Sequence, residues 1–91
     1  MRRTAIVAAV RTPVGRIRGV LSEVPAHRLA ALVIGEAVRR SGIDPAAVDE
    51  VIYGNLYAHD ISNMARYAAL EGGLPITVPA ITVDRRCGTS L

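Results

Sequence analysis

The only thiol in this 91-residue chain is Cys87, in the run Ile81-Thr82-Val83-Asp84-Arg85-Arg86-Cys87-Gly88-Thr89-Ser90-Leu91. An apolar stretch ends just before it and small residues follow, the pattern of a cysteine set where a buried strand hands over to a helix. At a helix N-terminus, unpaired backbone N–H groups and the positive end of the macrodipole favour thiolate over thiol, and the thiolate is the nucleophile. The sequence thus predicts a nucleophile at the start of a helix of which it contains about one turn, the front part of an enzyme.

The remaining polar residues offer little other chemistry. His27 and His59 stand far apart and alone, which suits surface or locally satisfied histidines rather than catalytic bases. A single cysteine cannot form an intramolecular disulfide, and no Cys/His cluster has metal-ligand spacing. Both features point to a reducing, cytoplasmic setting and to no metal. All eleven basic residues are arginines against a net charge of only +3. The pairs Arg2-Arg3, Arg39-Arg40 and Arg85-Arg86 sit at separate element boundaries rather than in a stripe, which argues against a nucleic-acid partner. No stretch approaches the ~20 apolar residues of a membrane span. The short apolar run after Arg2-Arg3 leads straight into Arg11-Thr12-Pro13, so it reads as a buried strand rather than a signal peptide.

The elements that would position Cys87 can be read from periodicity. Thr4 to Val10 is a continuous apolar run, predicting a first strand covered on both faces. Arg11 to Pro25, with its prolines and glycines, is a surface loop, and Pro25 sets the start of the next helix. From Ala26 to Arg40, Leu29, Ala30, Leu32, Val33, Ala37 and Val38 recur at helical spacing, with Glu36, Arg39 and Arg40 opposite. Gly42 supplies a left-handed stop, Ile43 a hydrophobic contact after it, and Asp44-Pro45 the cap of a short turn.

Glu50 to Tyr57 gives a second strand, ending or bulging at Gly54-Asn55. Ser62 or Asn63 caps a second helix through Met64, Tyr67, Ala68 and Leu70, stopped by Gly72-Gly73. Ala80 to Val83 is the third strand. Tyr53, Tyr57, Tyr67 and Met64 read as packing residues. Strand, helix, strand, helix, strand is the order of an α/β fold with a mainly parallel sheet.

Right-handed crossovers place helices that progress in one direction on the same face of a sheet. The other face is then an apolar patch larger than the ~300–600 Å² typical of monomers. The fold is therefore expected to be incomplete on its own, with Ala26 to Leu91 packed against further polypeptide. A chain of this size buries only about 60–65% of its unfolded surface, so a partner would also help its stability.

Three ordered blocks resemble the N-terminal half of thiolases, the acetyl-CoA C-acetyltransferases and 3-ketoacyl-CoA thiolases. They are Val10-Arg11-Thr12-Pro13-Val14-Gly15; Asn63-Met64-Ala65-Arg66-Tyr67-Ala68-Ala69-Leu70 with Gly73-Leu74-Pro75; and Asp84-Arg85-Arg86-Cys87-Gly88-Thr89. The resemblance implies that residues 1–91 are the N-terminal part of a thiolase N-terminal domain, a βαβαβ portion of one half-domain ending just after the nucleophile. It implies that Cys87 takes an acyl group from an acyl-CoA, with coenzyme A thioesters as substrates and no permanently bound cofactor. A base histidine, a second cysteine and the oxyanion-hole donors would come from the remainder of the polypeptide or a complementary chain, and 1–91 alone would be inactive. It also implies a homo-oligomer, dimer or tetramer, with the segment around Asn63 to Leu70 as an interface.

The usual nucleophile block is Asn-Arg-x-Cys-x-Ser-Gly, where this chain has Asp84, Thr89 and Ser90 for Asn, Ser and Gly. Asp84 places a negative charge near the thiol, opposing thiolate formation unless Arg85 or Arg86 pairs with it. Two other classes share the sequence features: a condensing enzyme of the ketoacyl-synthase type, and a non-catalytic interaction module that keeps the fold.

Overall fold

The computed structural model describes residues 2–90. Its elements are α1 (Ala26–Ser41), a 3-10 turn (Pro45–Ala47), β1 (Val51–Gly54), α2 (Met64–Glu71), β2 (Ala80–Val83) and a second 3-10 turn (Arg86–Gly88). The strands pair in parallel, Val51 opposite Ala80 and Gly54 opposite Val83, with α2 as the crossover between them. α2 packs on both strands, and α1 packs on α2. The fold is α/β and incomplete.

The expected first strand, Thr4 to Val10, is not formed. Among the described residues β1 and β2 are the only strands, and Ile6 is 90% exposed. An interior strand is held by ladder hydrogen bonds along its edges and by layers on its faces. Thr4 to Val10 has no ladder partner among the described residues, so the expected βαβαβ order is reduced to α-β-α-β.

α1 begins and ends where expected, but its buried face is rotated. Ala30, Ala31 and Ile34 are buried, whereas Leu32 is 58% exposed. The reason lies on the partner helix, where Ala65, Ala68 and Ala69 are fully enclosed. Two alanine-lined faces let the backbones approach, and a glycine on each side sits at the contact. A Cβ on Gly35 would lie 3.0 Å from the Gly72 carbonyl oxygen, and one on Gly72 would lie 2.9 Å from the Ala31 carbonyl oxygen. Helical periodicity locates apolar positions but does not say whether large or small ones meet a neighbour.

The helix ends are well specified. Gly42 is left-handed at φ 71° and donates to the Arg39 carbonyl. The Ser41 hydroxyl donates to Val38 O at 2.7 Å and accepts from Ile43 N–H at 3.2 Å, bridging what a second cap bond would otherwise join. Ile43 remains largely exposed. Asp44 Oδ1 accepts from Ala46 N–H at 3.0 Å, as the Asp-Pro pair predicted. At the end of α2, Gly73 at φ 97° carries the reversal. Its N–H donates to Leu70 O and that of Leu74 to Ala69 O, the bond pair of a Schellman motif, with Leu74 buried. The two adjacent glycines therefore act differently: Gly73 for its conformation, Gly72 for close approach.

The helices are also tied electrostatically. Glu71 Oε2 accepts from His27 Nδ1 at 2.8 Å and Oε1 lies 3.3 Å from Arg28 Nε, while the His27 ring meets Tyr67 edge-on at 4.7 Å. His27 is thus locally satisfied, as expected. Arg39 and Arg40 converge on Glu36 and hold its carboxyl at about 2 through their hydrogen bonds. Both arginines are more than half exposed and Glu36 is 34% exposed, so these surface pairs steady the end of α1 without anchoring the fold.

On the sheet, Val51, Tyr53 and Ala80 pack toward the helices. Burial pushes the Tyr53 phenol upward. The opposite face carries Ile52 and Ile81, register partners that are 65% and 47% exposed, so the expected uncovered face is present. Met64 is buried as predicted, whereas Tyr57 is exposed on the loop after β1 and Tyr67, with one edge against His27, is 47% exposed.

Gly-to-Ala changes often stabilise by about 0.4–1 kcal/mol through the unfolded chain. At Gly72 the sign reverses, because the new methyl strikes a backbone carbonyl that cannot swing aside. Gly72→Ala is expected to lower stability by about 1–3 kcal/mol, read as a fall in the denaturant midpoint.

Candidate active site

β2 is fixed to α2 by side chains that also shape its C-terminal end. Asn63, the residue before α2, adopts φ 44° and makes no side-chain bond to its own helix. The capping acceptor comes instead from the strand: Thr82 Oγ1 accepts from Ala65 N–H at 3.0 Å and donates to Asn63 Oδ1 at 2.7 Å. Asn63 Nδ2 in turn donates to Ala80 O at 3.2 Å. One turn later the Arg66 guanidinium donates to Val78 O at 2.6 Å and Ile76 O at 3.0 Å, clamping the segment that leads into β2.

Beyond Val83 the chain turns on local hydrogen bonds. Asp84 Oδ1 accepts from Arg86 N–H at 2.9 Å, and Arg86 is left-handed at φ 51°. Thr89 Oγ1 accepts from Arg85 N–H at 2.8 Å and donates to Arg86 O at 2.6 Å. The Arg85 guanidinium donates to Gly88 O at 2.8 Å. That of Arg86 lies 5.7 Å from the Tyr57 ring centroid and 3.4 Å from its hydroxyl. Cys87 sits exposed at the centre of this turn.

The thiol is therefore at the C-terminal end of a parallel strand, as the sequence indicates, but the expected α-helix behind it is one 3-10 turn, Arg86–Gly88. A helix nucleus fixes several residues for a single hydrogen bond and needs further turns to become favourable. The amides of Gly88 and Thr89 are spent on the carbonyls of Arg85 and Arg86.

Asp84 meets the condition under which its charge would oppose thiolate formation. Among the described residues no ion pair joins it to Arg85 or Arg86, and its carboxylate is satisfied by a backbone amide. His59 is exposed, on the wall of an open hollow of about 390 Å³ that also includes Asp84. It makes no hydrogen bond to the Cys87 turn among the described residues.

Beside the turn, an open cleft of about 830 Å³ runs along the strand ends, walled by Gly54, Val83, Asp84, Arg85, Thr89 and Ser90 among others. Cys87 is not part of its wall. In parallel α/β sheets ligands gather outside the carboxyl ends of the strands, and that is where this turn lies. Among the described residues no group of His, Cys, Asp and Glu could hold a metal ion, and no helix is long and apolar enough to cross a membrane. Sequence reading missed Thr82, Arg66 and Thr89 as the residues that shape the site. The available signal was a threonine on the packed side of a strand and another two residues after the cysteine.

The profile described as "Thiolase, N-terminal domain" matches residues 4–91. Over its whole length the chain is 47% identical to a protein of Staphylococcus aureus (strain NCTC 8325 / PS 47) named probable acetyl-CoA acyltransferase, of which it covers 23%. The crystal structure of the Bacillus anthracis acetyl-CoA acetyltransferase superposes with a TM-score of 0.85 at 45% identity, covering 92% of this chain and 22% of that one. A thiolase from Ascaris suum, crystallised in complex with coenzyme A, gives 0.86 at 31% identity, covering 93% and 22%. The chain thus spans less than a quarter of the length of these relatives.

Thr82→Val keeps the shape of the side chain but strips the fully buried Ala65 amide of its acceptor. It is expected to cost about 1–3 kcal/mol, measured by chemical denaturation. Asp84→Asn keeps an oxygen for Arg86 N–H while removing the charge. It should speed alkylation of Cys87 at neutral pH by about two- to fivefold, and an unchanged rate would show that the charge does not reach the thiol.

Proposed function

The chain belongs to the thiolase family, matching its N-terminal domain, and from that premise we propose that Cys87 is the nucleophile of an acyl-CoA acyltransferase. The thiolate attacks the thioester carbonyl of an acyl-CoA. A new carbon–sulfur bond forms to Cys87, the bond to coenzyme A breaks, and the departing sulfur takes up a proton.

In the synthetic direction the acyl group then passes to the α-carbon of a second acetyl-CoA, which loses a proton as the carbon–carbon bond forms, and the Cys87 sulfur leaves. In thiolytic cleavage the Cys87 thiolate instead attacks the 3-keto carbonyl of a 3-ketoacyl-CoA, the bond between the α- and β-carbons breaks, and the departing α-carbon takes up a proton to leave as acetyl-CoA. Coenzyme A, losing its thiol proton, then attacks the shortened acyl-enzyme and the Cys87 sulfur leaves. Coenzyme A thioesters are substrates in this reading, and no resident cofactor takes part.

The observation that carries the proposal is an exposed thiol on a turn at the C-terminal end of β2, inside a chain that matches this family along almost its whole length. The relatives named as acetyl-CoA acyltransferases, and the one crystallised with coenzyme A, support the substrate class. The family match favours a thiolase over a ketoacyl synthase.

The base, the second acid–base group and the oxyanion donors are assigned to polypeptide beyond these residues. Each oxyanion donor is worth roughly 10²–10³ in rate, so residues 1–91 alone should not turn over. A homo-oligomer belongs to the same reading. Of the apolar residues from Asn63 to Leu70, however, Met64, Ala65, Ala68 and Ala69 are spent on the chain's own core, leaving Tyr67 and Leu70 exposed for any contact between copies.

In the intact protein, iodoacetamide should label Cys87 near neutral pH, and prior incubation with acetyl-CoA should protect it and add one acetyl group by mass. Equal labelling with and without acetyl-CoA, and no adduct, would remove the catalytic role.

A further inference from the structure

We propose that Thr89 is the positioning residue for Cys87, an inference that rests on reading Cys87 as the acyl acceptor. The Thr89 hydroxyl donates to Arg86 O at 2.6 Å, and its own N–H donates to the same oxygen at 3.0 Å. That carbonyl belongs to the peptide group whose nitrogen is that of Cys87. Two donors from one residue therefore fix the plane from which the thiol-bearing side chain departs. The same hydroxyl takes the Arg85 N–H at 2.8 Å, closing the turn from the other side.

The turn needs this closure. Arg86 lies between the two bonded peptides at φ 51°, a region that side-chain-bearing residues occupy only when the surroundings impose it. Its guanidinium is directed toward Tyr57 rather than into the turn, so it does not supply the constraint.

The methyl group of Thr89 sets the aim of the hydroxyl. A Cβ built on Gly54, the last residue of β1, would lie 2.5 Å from Thr89 Cγ2 but 3.7 Å from Thr89 Cβ. The end of β1 thus lacks a side chain where this methyl sits. A β-branched residue is stiff about χ1, and seating its methyl in one place leaves the hydroxyl one direction. Gly54 and Thr89 act as a pair: an empty position on one strand, and on the turn beyond the other a side chain whose methyl fills it while its hydroxyl holds the nucleophile's backbone.

The test uses the intact protein with two readouts, the rate of acetyl-Cys87 formation from acetyl-CoA by mass spectrometry and the rate of alkylation by iodoacetamide. Thr89→Val keeps the methyl and loses the hydroxyl. It should slow acetylation at least about tenfold with the half-saturating acetyl-CoA concentration unchanged, as expected for a misaimed reacting group. Thr89→Ser, which keeps the hydroxyl, should stay within about threefold of the parent rate.

Wild-type rates in Thr89→Val, or equal losses in both variants, would overturn the proposal. A double-mutant cycle decides the matter should Thr89→Val fail to fold. Gly54→Ala should slow acetylation when residue 89 is Thr and have little effect when it is Ser, whereas equal slowing in both backgrounds would refute the pairing. If the parent protein forms no acetyl adduct, the nucleophile assignment fails by itself, and the alkylation rates of the same variants still judge Thr89.

Discussion

Everything in this fold rests on α2 being enclosed from two sides at once. Its eight residues must face both the strands beneath and α1 beside it, and alanine is the side chain small enough to do so. Ala65, Ala68 and Ala69 are fully buried, and the backbones close until carbonyl oxygens stand within 3.0 Å of where the Cβ atoms of Gly35 and Gly72 would be. Packing of this kind gains from many close dispersion contacts rather than from large transferred areas. It is correspondingly intolerant of an added methyl. It also leaves Leu32 outside the interface.

That enclosure is transmitted to the site by hydrogen bonds rather than by bulk. The start of α2 is capped from β2 through Thr82, and the segment entering β2 is gripped by Arg66 of α2. Helix and strand are thereby locked in register, and the C-terminal end of β2 is delivered at a defined place next to Gly54. From there the route to Cys87 is short and local: an aspartate accepting an amide, a left-handed arginine, and a threonine closing the turn. A rigid scaffold ending in a polar turn is a usual way of presenting a reactive group from a parallel sheet.

The uncovered parts of the molecule follow from the same arrangement. One sheet face is occupied by the helices, while the other presents Ile52 and Ile81 to solvent. Val14, Ile17 and Val20 project from the loop before α1. Apolar groups of this size are normally covered in a finished fold. The chain's span of less than a quarter of its relatives' length accords with that.

Local signals in the sequence determined the helices, their glycine stops, the Asp-Pro turn, the two short strands and the position of the cysteine just past the last of them. Each depends on residues within a few positions of one another, so spacing and residue type are enough. The family resemblance was likewise carried by contiguous blocks. Tertiary structure alone decided the remainder. Which face of α1 is buried depends on how closely another helix can approach; whether Thr4 to Val10 becomes a strand depends on neighbours to pair with. That the cap of α2 comes from Thr82 depends on a contact across 17 residues of chain. That Thr89 fits its turn depends on a missing side chain at Gly54, and no local pattern records a contact made between the end of one strand and the turn beyond another.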